Sequence, residues 1–199
     1  MVMIIGVLAI QGDFAAHARA LQRIGANAIE VRRAQDLDAV SGLIIPGGES
    51  TTMLKFIEEE TLGEPIRSFA RIGKPIFGTC AGAILLARRV NNPPQVSLGL
   101  IDIIVERNGY GRQVESFIAE AETALAGGPL EAVFIRAPRI TGLGPNAETV
   151  ASLDGEPILV RENNILAATF HPELTEDTRL HRLFVDMARS KNCAKVALS

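Results

Sequence analysis

The sequence predicts an α/β fold of three layers, in which a mostly parallel central sheet carries helices on both faces and continues into an antiparallel extension. Two observations lead to this prediction. In the first half of the chain, short apolar runs alternate with amphipathic segments, an order that places helices on both faces of a parallel sheet. After about residue 95, β-rich runs follow one another across turns, which is typical of antiparallel strands.

Apolar runs in the first half are predicted to be the parallel strands. The first of them is a continuous apolar run, which suits a strand that is covered on both faces. They are VMIIGVLAI (2–10), AIEVR (28–32), GLIIP (42–46) and PIFGT (75–79).

The segments that join these strands are predicted to be helices. Asp13 can cap the first helix, and Ser50-Thr51-Thr52 can cap the helix that follows the third strand. A helix is also predicted directly after Cys80, continuing to Val90. The remaining predictions are helices over 14–25, 36–40, 63–72 and 176–190, with the helix after Ser50 ending near Glu60.

The second half is predicted to contain six further strands. They are LGLIDIIVER (98–107), VESFIAEAE (114–122), AVFIRAP (132–138), TVASLD (149–154), PILVRE (157–162) and ILAATF (165–170). The chain has no internal repeat, linker or low-complexity segment. We therefore expect residues 1–199 to form one domain.

Composition argues against several classes of function. The formal charge is −3 and the basic residues are scattered, which does not favour nucleic acid or an anionic membrane as a partner. No apolar run reaches the roughly 18–20 residues of a bilayer span, and the N-terminus lacks the basic region of a signal peptide. With two cysteines and no C-x-x-C, we expect a reducing cytoplasm. The three histidines show no zinc spacing, so no metal site is predicted.

The segment Gly78-Thr79-Cys80-Ala81-Gly82 joins a predicted strand to a predicted helix. Glycines two residues before and after a nucleophile allow the tight turn known as a nucleophile elbow. A thiol placed there lies at a helix N-terminus, which favours the thiolate, and the N–H of Ala81 can face an oxyanion. A buried structural cysteine is the alternative.

Two other segments are predicted to reach the same edge of the sheet. Pro46-Gly47-Gly48-Glu49-Ser50 follows the third strand, and its glycines can turn N–H groups toward a ligand. His171 ends an apolar strand, with Glu173 on the same side of an extended backbone and Pro172 restraining it. A carboxylate on one ring nitrogen of His171 would leave the other facing the nucleophile. Taken singly, each segment could be a plain turn or a structural histidine.

Together these segments resemble class I glutamine amidotransferases, which use a Cys-His-Glu triad. Further blocks narrow the resemblance to the glutaminase subunits of pyridoxal 5′-phosphate synthase, and together they reach from residue 8 to 177. They are Leu8-Ala9-Ile10-Gln11-Gly12, PGGESTTM (46–53), FGTCAG (77–82), VERNGYGRQVESF (105–117), VFIRAP (133–138) and ATFHPELTED (168–177).

The resemblance implies a class I amidotransferase fold and hydrolysis of L-glutamine, with no cofactor. Ammonia would pass to a (β/α)₈-barrel synthase subunit that makes pyridoxal 5′-phosphate. It implies Cys80 as nucleophile, His171 as acid and base, and Glu173 as its orienting carboxylate. The residues implied at other positions are Gly47, Gly48 and Ala81 for the oxyanion hole, Gly48, Glu49, Ser50, Arg107, Ile135 and Arg136 for glutamine, and Gln11 for the synthase interface.

Alternative interpretations remain at this stage. They are a glutaminase subunit of another amidotransferase, such as that of histidine biosynthesis, a stand-alone cysteine hydrolase, and a non-catalytic protein that kept the fold. We expect His17 and His181 at helix surfaces and Cys193 in a frayed C-terminal tail.

Overall fold

The chain folds around a large mixed sheet. The computed structural model describes residues 3–109 and 116–196, with side chains as far as residue 190. Its strands are β1 (Ile4–Leu8), β2 (Asn27–Val31), β3 (Gly42–Ile45), β4 (Ile76–Thr79), β5 (Ala87–Asn91), β6 (Ile101–Glu106), β7 (Ser116–Thr123), β8 (Leu130–Ile135), β9 (Arg139–Leu143), β10 (Glu148–Leu153), β11 (Glu156–Glu162) and β12 (Ile165–Ala168). Its helices are α1 (Phe14–Arg23), α2 (Ser50–Glu59), α3 (Gly63–Arg71), α4 (Ala81–Leu86) and α5 (Arg179–Val196), with 3₁₀ turns at Ala34–Ala39 and Pro172–Leu174.

Nine strands form the large sheet in the order β2-β1-β3-β4-β12-β11-β10-β7-β8. The first five of these strands are parallel to one another. From β12 to β8 each pair is antiparallel. A smaller sheet has the order β5-β6-β9. The predicted fold class, a mostly parallel sheet with helices and an antiparallel extension, is confirmed.

The core has two parts, one on each face of the large sheet. On β3, Leu43 and Ile45 belong to one apolar cluster and Ile44 belongs to the other. The first cluster includes side chains of α2, α3 and α4, and the second includes side chains of α1 and α5. The central strands are therefore buried on both faces, which explains why their sequences are continuously apolar.

Several predicted boundaries are wrong for reasons of tertiary structure. The helix after Cys80 ends at Leu86, and the next residues form β5, because they pair with β6. Helix α2 is capped by the side chain of Glu49, which accepts from the N–H groups of Thr51 and Thr52, rather than by the Ser-Thr-Thr hydroxyls. The last helix extends to Val196, so the backbone at Cys193 is helical rather than frayed. Residues 110–115 of the matched blocks lie outside the described residues.

None of the helices in the described residues has both the length and the apolar character that a bilayer crossing requires.

The turn at Cys80 depends on close backbone packing. A Cβ on Gly78 would lie 2.6 Å from the carbonyl carbon of Gly82, and a Cβ on Gly82 would overlap with the carbonyl oxygen of Ile45. Neither glycine has a positive φ. The requirement for glycine at these positions is therefore steric, as the elbow prediction assumed.

We expect Gly82→Ala to lower the free energy of unfolding by at least about 2 kcal/mol, because backbone atoms cannot move aside as a flexible side chain can. The matched control is Gly63→Ala in α3, where the added Cβ would lie 3.4 Å from the end of the Arg67 side chain and no closer than 3.8 Å to any other residue outside its own helix and chain neighbours. In this control the free energy of unfolding should rise by no more than about 1 kcal/mol relative to the wild type. Urea unfolding measures both variants. Equal midpoints for the two would contradict the steric requirement.

Candidate active site

The predicted site segments meet at one edge of the large sheet. Strands β1, β3, β4 and β12 are parallel neighbours, so their carboxyl ends lie side by side. The loop after β1 contains Gln11, the loop after β3 contains Gly47 and Gly48, β4 leads into Cys80, and β12 leads to His171. The carboxyl edge of a parallel sheet is where such folds bind ligands.

Cys80 occupies a strained turn between β4 and α4. Its backbone has φ 50° and ψ −106°, a conformation that non-glycine residues rarely adopt. Its N–H donates to the carbonyl oxygen of Ala168 at 2.8 Å, which ties the turn to β12. The residue is 7% exposed, and its Sγ lies 4.0 Å from the carbonyl oxygen of Ile135. The turn thus holds a thiol at the sheet edge with little freedom to move.

His171 and Glu173 form a hydrogen-bonded pair beside this thiol. His171 Nδ1 lies 2.8 Å from Glu173 Oε1. The backbone N–H of His171 donates to the carbonyl oxygen of Val133 at 2.8 Å, and Pro172 starts the 3₁₀ turn that brings Glu173 back toward the ring. The Glu173 side chain is 1% exposed and that of His171 is 13% exposed. The 3₁₀ turn differs from the extended backbone that the sequence suggested, yet the pair forms.

Electrostatics favour a charged imidazole at His171. Burial acts to lower the pKa of His171, but hydrogen bonds and negative charge from Cys80 and Glu173 outweigh it and raise this pKa to about 10. Burial acts to raise the pKa of Glu173, but His17 and His171 outweigh it and hold this pKa below its ordinary value. At neutral pH the pair is an imidazolium on a carboxylate, with the Cys80 side chain favouring the charged imidazole.

The Gly47-Gly48 loop lies against this pair. A Cβ on Gly47 would lie 3.1 Å from His171 Nδ1 and 3.4 Å from Cys80 Cβ, and closer still to the imidazole Cε1. Gly48 has φ +156°. Position 47 must therefore be glycine to leave room for the imidazole of His171. The close approach also puts the peptide of this loop within reach of a group bound at Cys80.

A cavity of about 360 Å³ opens at this point. It is lined by Gly12, Asp13, Gly47, Gly48, Glu49, Ser50, Cys80, Ala81, Ile84, Arg107, Asn108, Ile135, Arg136 and His171. The sequence-predicted nucleophile, histidine, oxyanion-hole residues and glutamine-binding residues all line it. Glu173 does not, because it lies behind His171.

Four lining residues were missed. Gly12 and Asp13 follow β1 and could have been found by the rule that loops after parallel strands share an edge. Ile84 lies one helical turn after Ala81 and so faces the same side of α4. Asn108 follows Arg107 and carries no signal of its own.

Charged groups of opposite sign share one wall of the cavity. Arg107 Nη2 lies 3.3 Å from Glu49 Oε1. Hydrogen bonds lower the pKa of Glu49 to about 2 against the opposing effect of burial. The Thr51 hydroxyl has the largest effect, and the Thr52 hydroxyl and the N–H groups of both threonines act in the same direction. Glu49 is therefore ionised. The Arg107 side chain is only 17% exposed, which argues against a plain surface charge.

Other predicted glutamine-site residues are held by neighbours or by unusual backbone. The Ser50 hydroxyl donates to Gln95 Oε1 at 2.8 Å, and Gln95 Nε2 donates back to the Ser50 carbonyl oxygen at 3.3 Å. Arg136 is exposed at the cavity rim and has φ 43°. Ile135, which precedes it, is 38% exposed.

Gln11 contacts the glycine loop directly. Its Oε1 accepts a hydrogen bond from the N–H of Glu49 at 3.3 Å, and this oxygen lies 3.6 Å from where a Cβ on Gly48 would stand. The side chain of Gln11 is thus linked to the segment that closes one side of the cavity.

The expectation that His17 and His181 lie at helix surfaces is wrong. Both residues are 0% exposed. Helices α1 and α5 pack on the same face of the sheet, and these two imidazoles meet beneath the site. Helical periodicity could not show this, because it does not reveal which polar residue of a helix faces a neighbouring helix.

The described residues contain no group of three or more His, Cys, Asp or Glu side chains arranged to hold a metal ion.

Comparisons with known proteins agree with this geometry. The model of the SNO glutamine amidotransferase family matches residues 7–190. A protein of Koribacter versatilis named pyridoxal 5′-phosphate synthase subunit PdxT is 54% identical over 190 residues, covering 96% of this chain and 98% of that protein. A protein of the same name from Thermotoga maritima is 52% identical over 188 residues, covering 94% of this chain and 100% of that protein.

Solved structures give the same result. A crystal structure described as glutamine amidotransferase matches with a TM-score of 0.88 and 48% identity, covering 92% of this chain and 98% of that one. A chain in the structure of PurLQS from Thermotoga maritima, at 16% identity and a TM-score of 0.74, shares the fold, and the match covers 94% of this chain and 99% of that one. Because the family model matches most of its length, this chain belongs to the SNO glutamine amidotransferase family.

Proposed function

We propose that this chain is the glutaminase subunit of a pyridoxal 5′-phosphate synthase, and that it hydrolyses L-glutamine to L-glutamate and ammonia. The observation that carries the proposal is that one cavity is lined by the strained Cys80 and by a charged His171, which Glu173 holds from behind. Relatives named for this subunit, at more than half identity over nearly the whole chain, support the same conclusion. They do not favour a glutaminase of histidine biosynthesis.

The first chemical step is acyl transfer to sulfur. The Cys80 thiolate attacks the side-chain amide carbon of glutamine, and the carbonyl oxygen becomes an oxyanion. The N–H of Ala81 and an N–H of the Gly47-Gly48 loop stabilise this charge. His171, already protonated, gives its proton to the departing nitrogen, so ammonia leaves and a γ-glutamyl thioester remains.

The second step returns the enzyme to its starting state. Neutral His171 takes a proton from water, and the hydroxide attacks the thioester carbon. The carbon–sulfur bond breaks, glutamate leaves, and the Cys80 thiolate faces imidazolium again. Glu173 keeps the Nδ1 proton on His171, so the Nε2 side does the proton transfer in both steps.

Glutamine is a zwitterion at its α-carbon, and the charged wall of the cavity suits it. We assign its α-carboxylate to Arg107, whose planar guanidinium can make two parallel hydrogen bonds. Glu49 is ionised and faces the same wall, so it can accept from the α-ammonium group. Gly48, Ser50, Ile135 and Arg136 complete the lining around the substrate.

The ammonia acceptor is proposed to be a synthase subunit with a (β/α)₈ barrel, docked over the cavity. Gln11 is assigned to that interface, where its bond to Glu49 would connect docking to the oxyanion loop. We propose residues 1–199 as a single glutaminase domain. Because a reducing compartment protects a nucleophilic thiol from oxidation, we place the activity in the cytoplasm.

The test is glutamate release from glutamine, measured with and without the purified synthase subunit. Activity that appears or rises at least about tenfold with the synthase supports the proposal. Equal activity alone would indicate a stand-alone hydrolase. No activity in either case, with binding confirmed by gel filtration, would support a non-catalytic protein that kept the fold.

A further inference from the structure

Two buried histidines lie behind the triad, on the side of Glu173 away from His171. His17 comes from α1 and His181 from α5, and both are 0% exposed. Polar side chains are costly to bury unless their hydrogen-bonding groups are satisfied. Neither residue lines the cavity, so the proposed reaction does not yet explain why two imidazoles lie here.

Contacts between these groups form a continuous chain that ends at the triad. Glu173 Oε2 is buried and makes no conventional hydrogen bond, and His17 Nε2 lies 3.3 Å from it. The same nitrogen lies 3.2 Å from Thr79 Oγ1, on the residue before Cys80. His17 Nδ1 lies 3.1 Å from His181 Nε2. Glu173 therefore has His171 on one oxygen and His17 on the other.

One arrangement of protons suits these contacts best when both histidines are neutral. An ionised carboxylate only accepts hydrogen bonds, so the proton of His17 is on Nε2. Nδ1 of His17 is then an acceptor, and His181 must donate to it from Nε2. The Nδ1 of His181 is left without a proton, and it is the atom of that ring that has no partner. The unpartnered His181 Nδ1 is thus the nitrogen at the far end of this series of contacts, where no proton is required.

Burial favours the neutral form of both rings. Burial, with His171 acting in the same direction, lowers the pKa of His17 against the opposing charges of Glu173 and Asp13. Burial, together with His17 and Arg23, lowers the pKa of His181 to about 3 against Glu173 and Asp177. His17 therefore faces Glu173 as a neutral donor, and His171 remains the cation of the group.

We propose that His17 is a positioning residue of this active site, whose Nε2–H holds the outer oxygen of Glu173 so that the inner oxygen meets His171, with His181 holding His17 in the required tautomer. The proposal rests on the proposed glutaminase function. A carboxylate that is contacted at both oxygens is restrained from rotating away from His171, and the N–H of His17 pointing at the outer oxygen helps to keep it ionised although its side chain is 1% exposed.

The first test uses the unmodified protein. The chain has three histidines, so an imidazole ¹⁵N spectrum of the full-length protein has few signals to assign. At pH 7.5 we expect His17 and His181 each to carry a single proton on Nε2, and His171 to carry two protons. A proton on Nδ1 of His17, or a charged His17, would overturn the proposal.

The second test uses two substitutions that differ in where they place an amide. In His17→Gln the amide nitrogen falls near the former Nε2 and can still donate to Glu173. In His17→Asn it falls near the former Nδ1 and faces His181 instead. Both variants are assayed as full-length chains with saturating synthase, and circular dichroism at each pH checks that they stay folded.

We expect His17→Gln to keep kcat within about threefold and His17→Asn to lose about tenfold or more at pH 8. The loss should fall on kcat with KM changed less than about threefold, because Glu173 does not line the cavity. In His17→Asn alone, kcat/KM should also drop about tenfold between pH 8 and 6.5, as the unsupported carboxylate becomes protonated.

Three results would overturn the proposal. They are equal losses in both variants, a loss in His17→Asn that is the same at every pH, and no loss in either variant. Failure of the proposed function looks different, since wild-type protein with synthase would then release no glutamate. The ¹⁵N spectrum still decides the proton arrangement in that case, or if a variant does not fold.

Discussion

Replacing Cys80 with alanine is expected to reduce glutamate release by at least about 10⁴-fold, because the covalent route through a thioester is lost. The fold should be retained, since alanine differs from cysteine only by the sulfur atom and the residue is already buried. The measurement is glutamate release by the complex with its synthase, with gel filtration to show that the variant still binds.

Ammonium salts test whether the Cys80 thiol serves only to release ammonia from glutamine. In the complete synthase, Cys80→Ala should make pyridoxal 5′-phosphate from ammonium at the wild-type rate while failing to use glutamine. The control is Cys193→Ala, which alters the other cysteine of the chain and should leave glutamine use unchanged. If ammonium did not restore synthesis, transfer of ammonia between the subunits would be the wrong account.

We expect His171→Asn to lower kcat by about 10²–10⁴-fold or more, because asparagine can neither protonate the leaving ammonia nor activate water. The pKa of His171 is raised to about 10, so this residue supplies an imidazolium. Among the described residues that line the cavity, no other histidine could take over its proton transfer. Steady-state kinetics of the complex measure the effect, and KM should change much less than kcat.

A surface substitution in the same segment serves as the control for His171→Asn. Glu176 follows the triad residues in the chain, and its side chain is 95% exposed. Glu176→Gln should keep activity within about twofold, as surface changes normally do. A loss under tenfold in His171→Asn would remove His171 as the acid and base.

Much of the fold could be predicted because its signals are local. The continuous apolar runs of β1, β3 and β4 require cover on both faces, and the two apolar clusters supply it. The cap at Asp13 was also predictable, and its side chain accepts from the N–H of Ala16. In the same way, the glycines around Cys80 showed a tight turn without knowledge of its neighbours.

Other features depend on partners that are distant in the chain or on side chains that local rules do not favour. Strand β5 was missed because residues 87–90 continue a helical pattern, and only pairing with β6 makes them extended. The cap of α2 was assigned to hydroxyls, while the carboxylate of Glu49, with its pKa lowered to about 2, accepts the hydrogen bonds. Local propensity was overridden in each case by a hydrogen bond that periodicity cannot reveal.

The sequence by itself determined the fold class, the burial of the central strands on both faces, the Cys80 turn and the segments that carry His171 and Glu173. It did so because steric rules and apolar periodicity act over a few residues. Only the tertiary structure decided that His17 and His181 lie beneath the site, that Arg107 pairs with Glu49, and that Gln11 contacts the glycine loop. Those contacts join residues 38 to 164 positions apart, and their energies arise only after packing has removed water between them.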